Sequence, residues 1–234
     1  MSHEFRSAVL LILAALILTP AYSTTITTYS SQSSWQGVTS GSQTVNFEGM
    51  TPPNTSTYYN GSTGVTADGV QFIGYTSTGA TSVQVIDTNV SQYYNYGTND
   101  ALMQDMDRPN SSSPLPYIQI VLPAGVTSLS FDLFSVSPDA LSATITVNGT
   151  QYTVAANSRP NLAFWGITST TPITSLTITL NGTSFNGSSH LLIDNFSFGT
   201  LDGTDAPEAS TYLLIGSGLV GLVALRKRLA VRDV

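Results

Sequence analysis

The sequence predicts an all-β protein whose folded part is one antiparallel β-sandwich of jelly-roll type. Short stretches alternate apolar with polar residues and are separated by glycine, proline, asparagine and serine. Outside the two ends of the chain, no window of ten or more residues has the periodicity of a helix. The chain has no cysteine, so apolar burial, aided at most by an oxygen-ligated ion, has to stabilise this fold without disulfides or a thiolate metal site.

The clearest strands form a hairpin within residues 143–155, ATITVNGTQYTVA. Asn148-Gly149 separates two alternating runs there, and both residue types tolerate the positive φ of a type I′ turn. Pro52, Pro109 and Pro138 are among the prolines that fall between predicted strands, where no ladder hydrogen bond is lost. The remaining predicted strands are residues 44–49, 69–75, 82–87, 117–122, 128–136, 175–180 and 190–199.

The first 23 residues predict a secretory signal peptide with a short apolar helix. Arg6 supplies a positive start, residues 8–18 are apolar, and Ala21-Tyr22-Ser23 places small residues at the positions that a signal peptidase inspects. We therefore expect cleavage between Ser23 and Thr24 and export of the chain from the cytoplasm.

The charge balance of the middle region excludes nucleic acid as a partner. Residues 24–206 contain two cations, Arg108 and Arg159, and eleven acids, a net charge of 2 − 11 = −9. Phosphate backbones are bound by a cationic surface, which this region lacks.

The tail, residues 205–234, predicts a single transmembrane helix. Residues 211–225 are 15 uncharged residues followed by Arg226-Lys227-Arg228, whereas a comfortable span needs about 20 apolar residues. The basic cluster would remain on the cytoplasmic side, and three nearby glycines would permit close contact with another membrane helix. The short length favours a temporary anchor that is later removed, and a permanent tail anchor is the alternative.

Three features of this tail occur in a fixed order: Pro207-Glu208-Ala209-Ser210, the apolar segment with LLIGSGLVGL, and Arg226-Lys227-Arg228. Together they resemble a PEP-CTERM sorting signal, although the third motif position is Ala209 where proline is usual. The resemblance implies an exported protein of a Gram-negative bacterium that is held briefly in the inner membrane and processed by an exosortase. The mature chain would then end near Asp205.

The middle region also resembles the exported domains that often carry this signal, through LPAGVTSLSFDL, FWGITSTTPITSLTI and LLIDNFSFG. The chain thus divides into a signal peptide (1–23), a β-sandwich domain (24–204) and a sorting signal (205–234).

Catalytic patterns are sparse. His190 is the only histidine outside the signal peptide, and the chain has neither a GxSxG nor an HExxH motif. Asp105-Met106-Asp107 is a pair of acids that a glycosidase could use, but closely spaced loop acids are more often solvated charges or calcium ligands. We therefore predict a protein that is not an enzyme.

A cluster of tyrosines is the candidate ligand surface. Tyr93, Tyr94 and Tyr96 lie in polar, glycine-containing sequence where their rings could stack on sugars, with Tyr58-Tyr59 upstream. Packing within a loop is the alternative. For Trp165, core packing is the preferred interpretation.

A calcium ion is the predicted cofactor. Strict alternation in LLIDNFSFG places Asp194 on the same face as Leu192, Phe196 and Phe198, where an unpaired carboxylate is costly. An arginine or Ca²⁺ would compensate it. Many jelly-roll sugar-binding modules resemble this chain in having an early Phe-Glu pair and a late Ile-Asp-Asn triplet around structural calcium, which implies Glu48 and Asp194 as ligands.

These observations favour a non-catalytic protein of the cell surface or extracellular matrix, associated with exopolysaccharide or biofilm. A carbohydrate-binding module is the first alternative, and a secreted hydrolase is the second.

Overall fold

The computed structural model is an antiparallel β-sandwich, which confirms the predicted fold class. The predicted signal helix and the predicted tail helix lie outside the described residues, and no helix within those residues is long and apolar enough to cross a membrane. The structure describes residues 24–59, 61, 63–76, 79–81, 83–90, 100–105, 113–136, 142–156, 162–181 and 190–203.

The described elements are fifteen strands and one short α-helix, with a 3-10 turn at Thr88–Val90. The helix α1 is Gln32–Gln36, and Ser31 caps it by accepting a hydrogen bond from the backbone N–H of Ser34. The strands are β1 Ile26–Tyr29, β2 Thr39–Thr44, β3 Ser56–Tyr59, β4 Val65–Ala67, β5 Val70–Thr76, β6 Gly79–Thr81, β7 Val83–Asp87, β8 Asp100–Asp105, β9 Tyr117–Val121, β10 Ser128–Ser135, β11 Ser142–Val147, β12 Thr150–Ala155, β13 Ala163–Ser169, β14 Ser175–Asn181 and β15 His190–Leu201.

The strands form two sheets. The first sheet has the order β1-β13-β10-β15-β8-β7-β3, and β2 also pairs with β15. The second sheet has the order β12-β11-β14-β9-β5-β4, and β6 also pairs with β5. The long strand β15 is bordered by β10 on one side and by β8 and then β2 on the other. The last strand of the domain is therefore a central strand that hydrogen bonds hold on both sides.

The core lies between the two sheets and is rich in aromatic rings. Phe72 meets Phe196 edge-on at 5.4 Å between ring centroids, and Phe131 stacks on Phe196 at 5.8 Å. Trp165 is 6% exposed and lies 5.4 Å from Phe131, so its assignment to the core is confirmed. Pairs in such geometries stabilise a core beyond the area they bury.

The hairpin of residues 143–155 forms as predicted. Strands β11 and β12 pair from Ser142 with Ala155 to Val147 with Thr150. Asn148 and Gly149 connect them with φ of 48° and 79°, which is the left-handed backbone that this turn requires.

The predicted strand at residues 44–49 is wrong in position. Strand β2 ends at Thr44, and a turn follows at Glu48 and Gly49, where Gly49 has a φ of 77°. Val45 still donates its backbone N–H to the carbonyl of Phe196 at 2.7 Å. Val45 and Phe47 are apolar because their side chains pack in the core, although their backbone is not part of a regular strand.

The predicted alternation through Asp194 is also wrong. Leu192 packs in a second apolar cluster with Met103 and Phe134, whereas Phe196 belongs to the main core. Asn195 has a φ of 50°, and the register between β10 and β15 shifts beside it. This β-bulge adds one residue to β15 and turns the following side chains to the other face, so the faces before and after Asn195 cannot be read as one series.

Candidate functional site

The folded domain ends immediately before the tail. Leu201 is the last residue of β15, and its backbone N–H donates to Oγ1 of Thr127 at 2.7 Å. The backbone N–H of Asp202 donates to the carbonyl of Val38 at 2.7 Å. The predicted motif Pro207-Glu208-Ala209-Ser210 and the basic cluster lie outside the described residues, as does the predicted cleavage residue Ser23, whereas Thr24 begins the described chain.

Glu48, one predicted calcium ligand, is an exposed side chain at the turn after β2. Its Oε1 accepts the backbone N–H of Asp100 at 3.3 Å. In return, the backbone N–H of the neighbouring Gly49 donates to Oδ2 of Asp100 at 2.8 Å. The two segments therefore hold each other by reciprocal hydrogen bonds between a carboxylate and a backbone amide.

Asp194, the other predicted ligand, is 7% exposed and lies opposite Asp132 on β10. Its Oδ1 accepts the backbone N–H of Asn195 at 2.7 Å, and the Asn195 amide donates to Oδ2 of Asp132 at 2.7 Å. Burial raises the pKa of Asp132, and the hydrogen bond from Asn195 partly opposes that rise. Two carboxylates are thus bridged by one asparagine at the bulge.

The structure gives Glu48 and Asp194 different hydrogen-bond partners. Among the described residues, no group of three histidine, cysteine or acidic side chains is arranged to hold a metal ion. Calcium at Glu48 and Asp194 therefore stays a prediction.

An open depression of about 510 Å³ lies beside Glu48, between the loop of residues 48–54 and the ends of β7 and β8. Asp87 and Asp100 form its acidic wall, and they are Cα partners across the two strands. They are 7% and 5% exposed. Sequence reasoning did not select either residue, although each stands at the end of a strand where a carboxylate can accept bonds from loop amides.

From the described residues, Asp87 accepts more hydrogen bonds than Asp100 does. Its Oδ2 accepts the backbone N–H of Asn54 at 2.5 Å, and its Oδ1 accepts the backbone N–H of Asn89 at 2.9 Å and the Asn89 side-chain amide at 3.0 Å. The bond from Asn54, followed by that from Asn89, holds the pKa of Asp87 below its ordinary value. Asp87 therefore fixes the loop of residues 51–55 against the sheet.

The predicted sugar-stacking residues Tyr93, Tyr94 and Tyr96 lie outside the described residues. Upstream, Tyr58 is 67% exposed on the edge strand β3. Its neighbour Tyr59 donates its hydroxyl to the carbonyl of Met50 at 3.2 Å, and burial raises the pKa of Tyr59. Tyr59 thus packs within the protein, whereas Tyr58 presents its ring to solvent.

A second aromatic feature, absent from the sequence-based prediction, lies on the second sheet. Tyr75 and Tyr117 are Cα partners on β5 and β9, and their rings stack at 4.7 Å with an angle of 12° between planes. Burial raises the pKa of Tyr117, as does the neighbouring Tyr75. These rings follow the outward positions of their strands, since Phe72 and Ile118, on the alternate positions, are core residues.

The same outward positions carry threonines across neighbouring strands. Thr144 pairs with Thr179, and Thr146 pairs with Thr177, which pairs in turn with Gln119. None of the seven strands of the second sheet contains a charged residue. We call this surface the threonine face and define it by Thr144, Thr146, Thr177, Thr179, Gln119 and the stacked tyrosines.

For the hydrolase alternative, the structure gives the positions of two of the candidate residues, His190 and Asp105. His190 begins β15 and is the Cα partner of Asp105, the last residue of β8. Asp107 lies outside the described residues.

Comparison with known proteins gives one matched sorting motif and a set of weak structural likenesses. Residues 205–228 match the PEP-CTERM protein-sorting motif, and no curated protein sequence matches the chain significantly. A carbohydrate-binding module of family 29 is 14% identical at a TM-score of 0.35, over 64% of this chain and 95% of that one. A cleaved adhesin domain of Lys-gingipain is 12% identical at a TM-score of 0.36, over 69% of this chain and 99% of that one.

The tandem CBM51 modules of a family 98 glycoside hydrolase from Streptococcus pneumoniae are 12% identical at a TM-score of 0.32. That alignment covers 44% of this chain and about a third, 32%, of the other. These structural likenesses are too distant to assign a function. The motif, in contrast, matches the same residues from which the sorting signal was predicted, and the chain is an exported β-sandwich protein that carries a PEP-CTERM protein-sorting motif at residues 205–228.

Proposed function

We propose that the protein is a non-catalytic component of the cell surface or extracellular polymer layer of a Gram-negative bacterium. An exosortase-type enzyme of the inner membrane would remove its tail and deliver the domain. The single observation that supports this proposal is the PEP-CTERM match at residues 205–228, placed directly after the last strand of a folded domain.

The charge distribution fits a protein that contacts extracellular polymers rather than nucleic acid. All seven lysine and arginine residues of the chain fall outside the described residues. Phosphate-rich partners have no cationic surface to bind on the described part of the domain.

The test follows the fate of a variant with Pro207→Ala and Glu208→Ala in the native host. Wild-type protein is expected at the surface or in the medium, and the variant in the inner membrane fraction. A matched control with Leu229→Ala and Val231→Ala changes two residues beyond the motif and is expected to behave as wild type. Equal distribution of the motif variant and wild type would contradict the proposal.

Binding of a neutral polysaccharide is the second candidate function, and the threonine face favours it. Hydroxyl and amide groups at strand spacing, about 4.8 Å apart, form hydrogen bonds to sugars without the cost of removing a charge from water. The stacked pair Tyr75 and Tyr117 supplies an apolar ring surface at the edge of this face.

Affinity electrophoresis in gels that contain the host's own extracellular polysaccharide tests this second candidate. Thr146→Glu with Thr177→Glu places charge at the centre of the face and is expected to abolish retardation. The control Thr27→Glu changes an exposed threonine of β1 in the other sheet and is expected to leave retardation unchanged. Equal retardation of all three proteins, or none for wild type, would exclude the threonine face as the binding surface.

A further inference from the structure

The first and last described residues lie at the same end of the sandwich. Thr170 donates its backbone N–H to the carbonyl of Thr25 at 3.0 Å, and Thr25 donates its own to Oγ1 of Thr170 at 3.0 Å. Ser169, next to Thr170, bonds to the carbonyl of Thr127, and Thr127 accepts the N–H of Leu201 through its hydroxyl. One chain of hydrogen bonds therefore connects the start of the domain to its end.

We call this part of the molecule the terminal end and define it by Thr25, Val38, Thr127, Thr170 and Asp202. Both segments with membrane character in the sequence, residues 1–23 and 205–228, adjoin the domain here. A chain tethered to a bilayer through either segment therefore presents the same end of the sandwich to the membrane.

The tether on the C-terminal side is very short. Asp202 is fixed by its bond to Val38, and five residue steps separate it from Pro207. A fully extended chain covers at most about 3.6 Å per residue, so Pro207 lies within about 18 Å of Asp202. Strand β15 cannot supply more length without loss of its bonds to β2 and β10 on both edges.

From this geometry we propose that the terminal end of the sandwich contacts the membrane enzyme that processes the tail, while Pro207 and Glu208 occupy its active site. The inference rests on the proposed sorting function. An enzyme that reaches Pro207 from the membrane must accommodate a folded domain within about 18 Å of the recognised residues. The spacer of residues 203–206 therefore limits the distance between the folded domain and the enzyme, and the terminal end is an interaction surface.

The composition of the two loops at the terminal end suits such a transient contact, and the charge of the terminal end lies beside them at exposed Asp202. The two connecting loops, residues 122–127 and 169–174, contain no charged residue. Ala124 and Gly125 are exposed at the tip of the first connection, and Pro172 and Thr174 are exposed in the second. Small neutral side chains can approach another protein without the desolvation cost of buried charges.

Spacer length is the first variable of the test, which follows conversion of the tail-bearing precursor by pulse-chase in the native host. Deletion of Gly203 and Thr204 is expected to slow conversion on the order of tenfold, because a linker that cannot span two sites removes effective concentration. Replacement of both residues by serine keeps the length and is expected to leave the rate unchanged. Insertion of six Gly/Ser residues after Gly203 is expected to leave it unchanged or raise it.

Bulk at the surface is the second variable. Ala124→Trp is expected to slow conversion with the native spacer and to lose that effect with the insertion. Ala80→Trp is the matched control, since Ala80 is equally an exposed alanine but lies on β6, where it pairs with Tyr75 of β5 at the opposite end of the sandwich. Urea unfolding of each variant separates altered processing from altered folding.

The outcomes separate the two proposals. Conversion of the deletion variant at the wild-type rate, or equal rates for the two tryptophan variants, would overturn the contact between domain and enzyme while leaving the sorting function intact. Failure of the wild-type precursor to be shortened at all would overturn the sorting function, and the inference with it.

Discussion

The first prediction concerns Asp87, whose carboxylate accepts three hydrogen bonds that a substitution would disturb. Asp87→Asn keeps the shape of the side chain but leaves one acceptor oxygen where two now accept three hydrogen bonds from Asn54 and Asn89. The new amide group would point an N–H at one of these N–H donors. Hydrogen bonds to a charged group contribute about 1.5–3 kcal/mol each, so loss of one such bond is expected to lower the free energy of unfolding by that amount at pH 7.

The same change should alter how stability depends on pH. The backbone N–H of Asn54, and then that of Asn89, lowers the pKa of Asp87 in the folded protein. The stabilisation is therefore complete above the unfolded-state pKa of about 3.9 and is lost as the pH falls through the lower, folded-state value. The difference between wild type and Asp87→Asn should be constant from about pH 5 to pH 7 and should shrink in stronger acid.

Urea unfolding of the predicted mature domain at pH 7 and at low pH measures both effects. Asp68→Asn is the matched control, because Asp68 is exposed and accepts one described backbone bond, from Asn46 at 3.1 Å. The control is expected to change the free energy of unfolding by less than about 1 kcal/mol. A variant Asp87→Asn as stable as wild type at pH 7, or a stability difference that persists unchanged in acid, would refute this account of the loop.

Three further predictions concern packing, a turn and a metal. Gly166→Ala is expected to cost about 1–3 kcal/mol in thermal unfolding, because the added Cβ would lie 2.9 Å from Cδ1 of buried Trp35; an unchanged melting temperature would contradict that close packing. Gly149→Ala has space but a φ of 79°, so a loss of about 1 kcal/mol is expected, and none would indicate a different turn. If calcium binds at Glu48 and Asp194, a chelator should lower the melting temperature of wild type but not that of Glu48→Gln with Asp194→Asn, and equal melting with and without chelator would exclude the site.

The strands that sequence reasoning located correctly are those with a buried apolar series. Residues 175–180 alternate strictly, residues 117–122 alternate except at Val121, and β14 and β9 cover almost the same residues. Two of the strands that it missed, β1 and β3, lie at sheet edges and read ITTY and STYY, whereas β8 and β13 were missed although they lie inside the first sheet. Edge strands bury little, so their threonines and tyrosines carry no apolar period that distinguishes them from a loop.

The local register of β15 could not be predicted for a different reason. A β-bulge depends on the backbone of one residue, and Asn195 adopts a left-handed conformation that asparagine tolerates but does not require. With that extra residue in the strand, the side chain of Phe196 points into the main core. Phe196 therefore does not share the face of Leu192 and Asp194, contrary to the predicted alternation. A pattern of period two has no means of signalling such an insertion.

The acidic depression likewise depends on pairing between distant parts of the chain. Asp87 and Asp100 become neighbours because β7 and β8 pair, and Glu48 meets Asp100 across 52 residues of sequence. Prediction of the sorting motif did not depend on strand pairing, since its three parts are contiguous in sequence. Linear signals were therefore predictable, whereas sites assembled by the fold were not.

The central claim is that the tail is a temporary anchor that is removed during sorting. Intact-mass measurement and C-terminal peptide analysis of the mature protein from its native host test it most directly. The account predicts a mature chain that begins at Thr24, ends near Asp205 and lacks the residues from about Pro207 onward. Peptides that contain residues 229–234, recovered from mature surface protein, would show that the tail is retained and would contradict the claim.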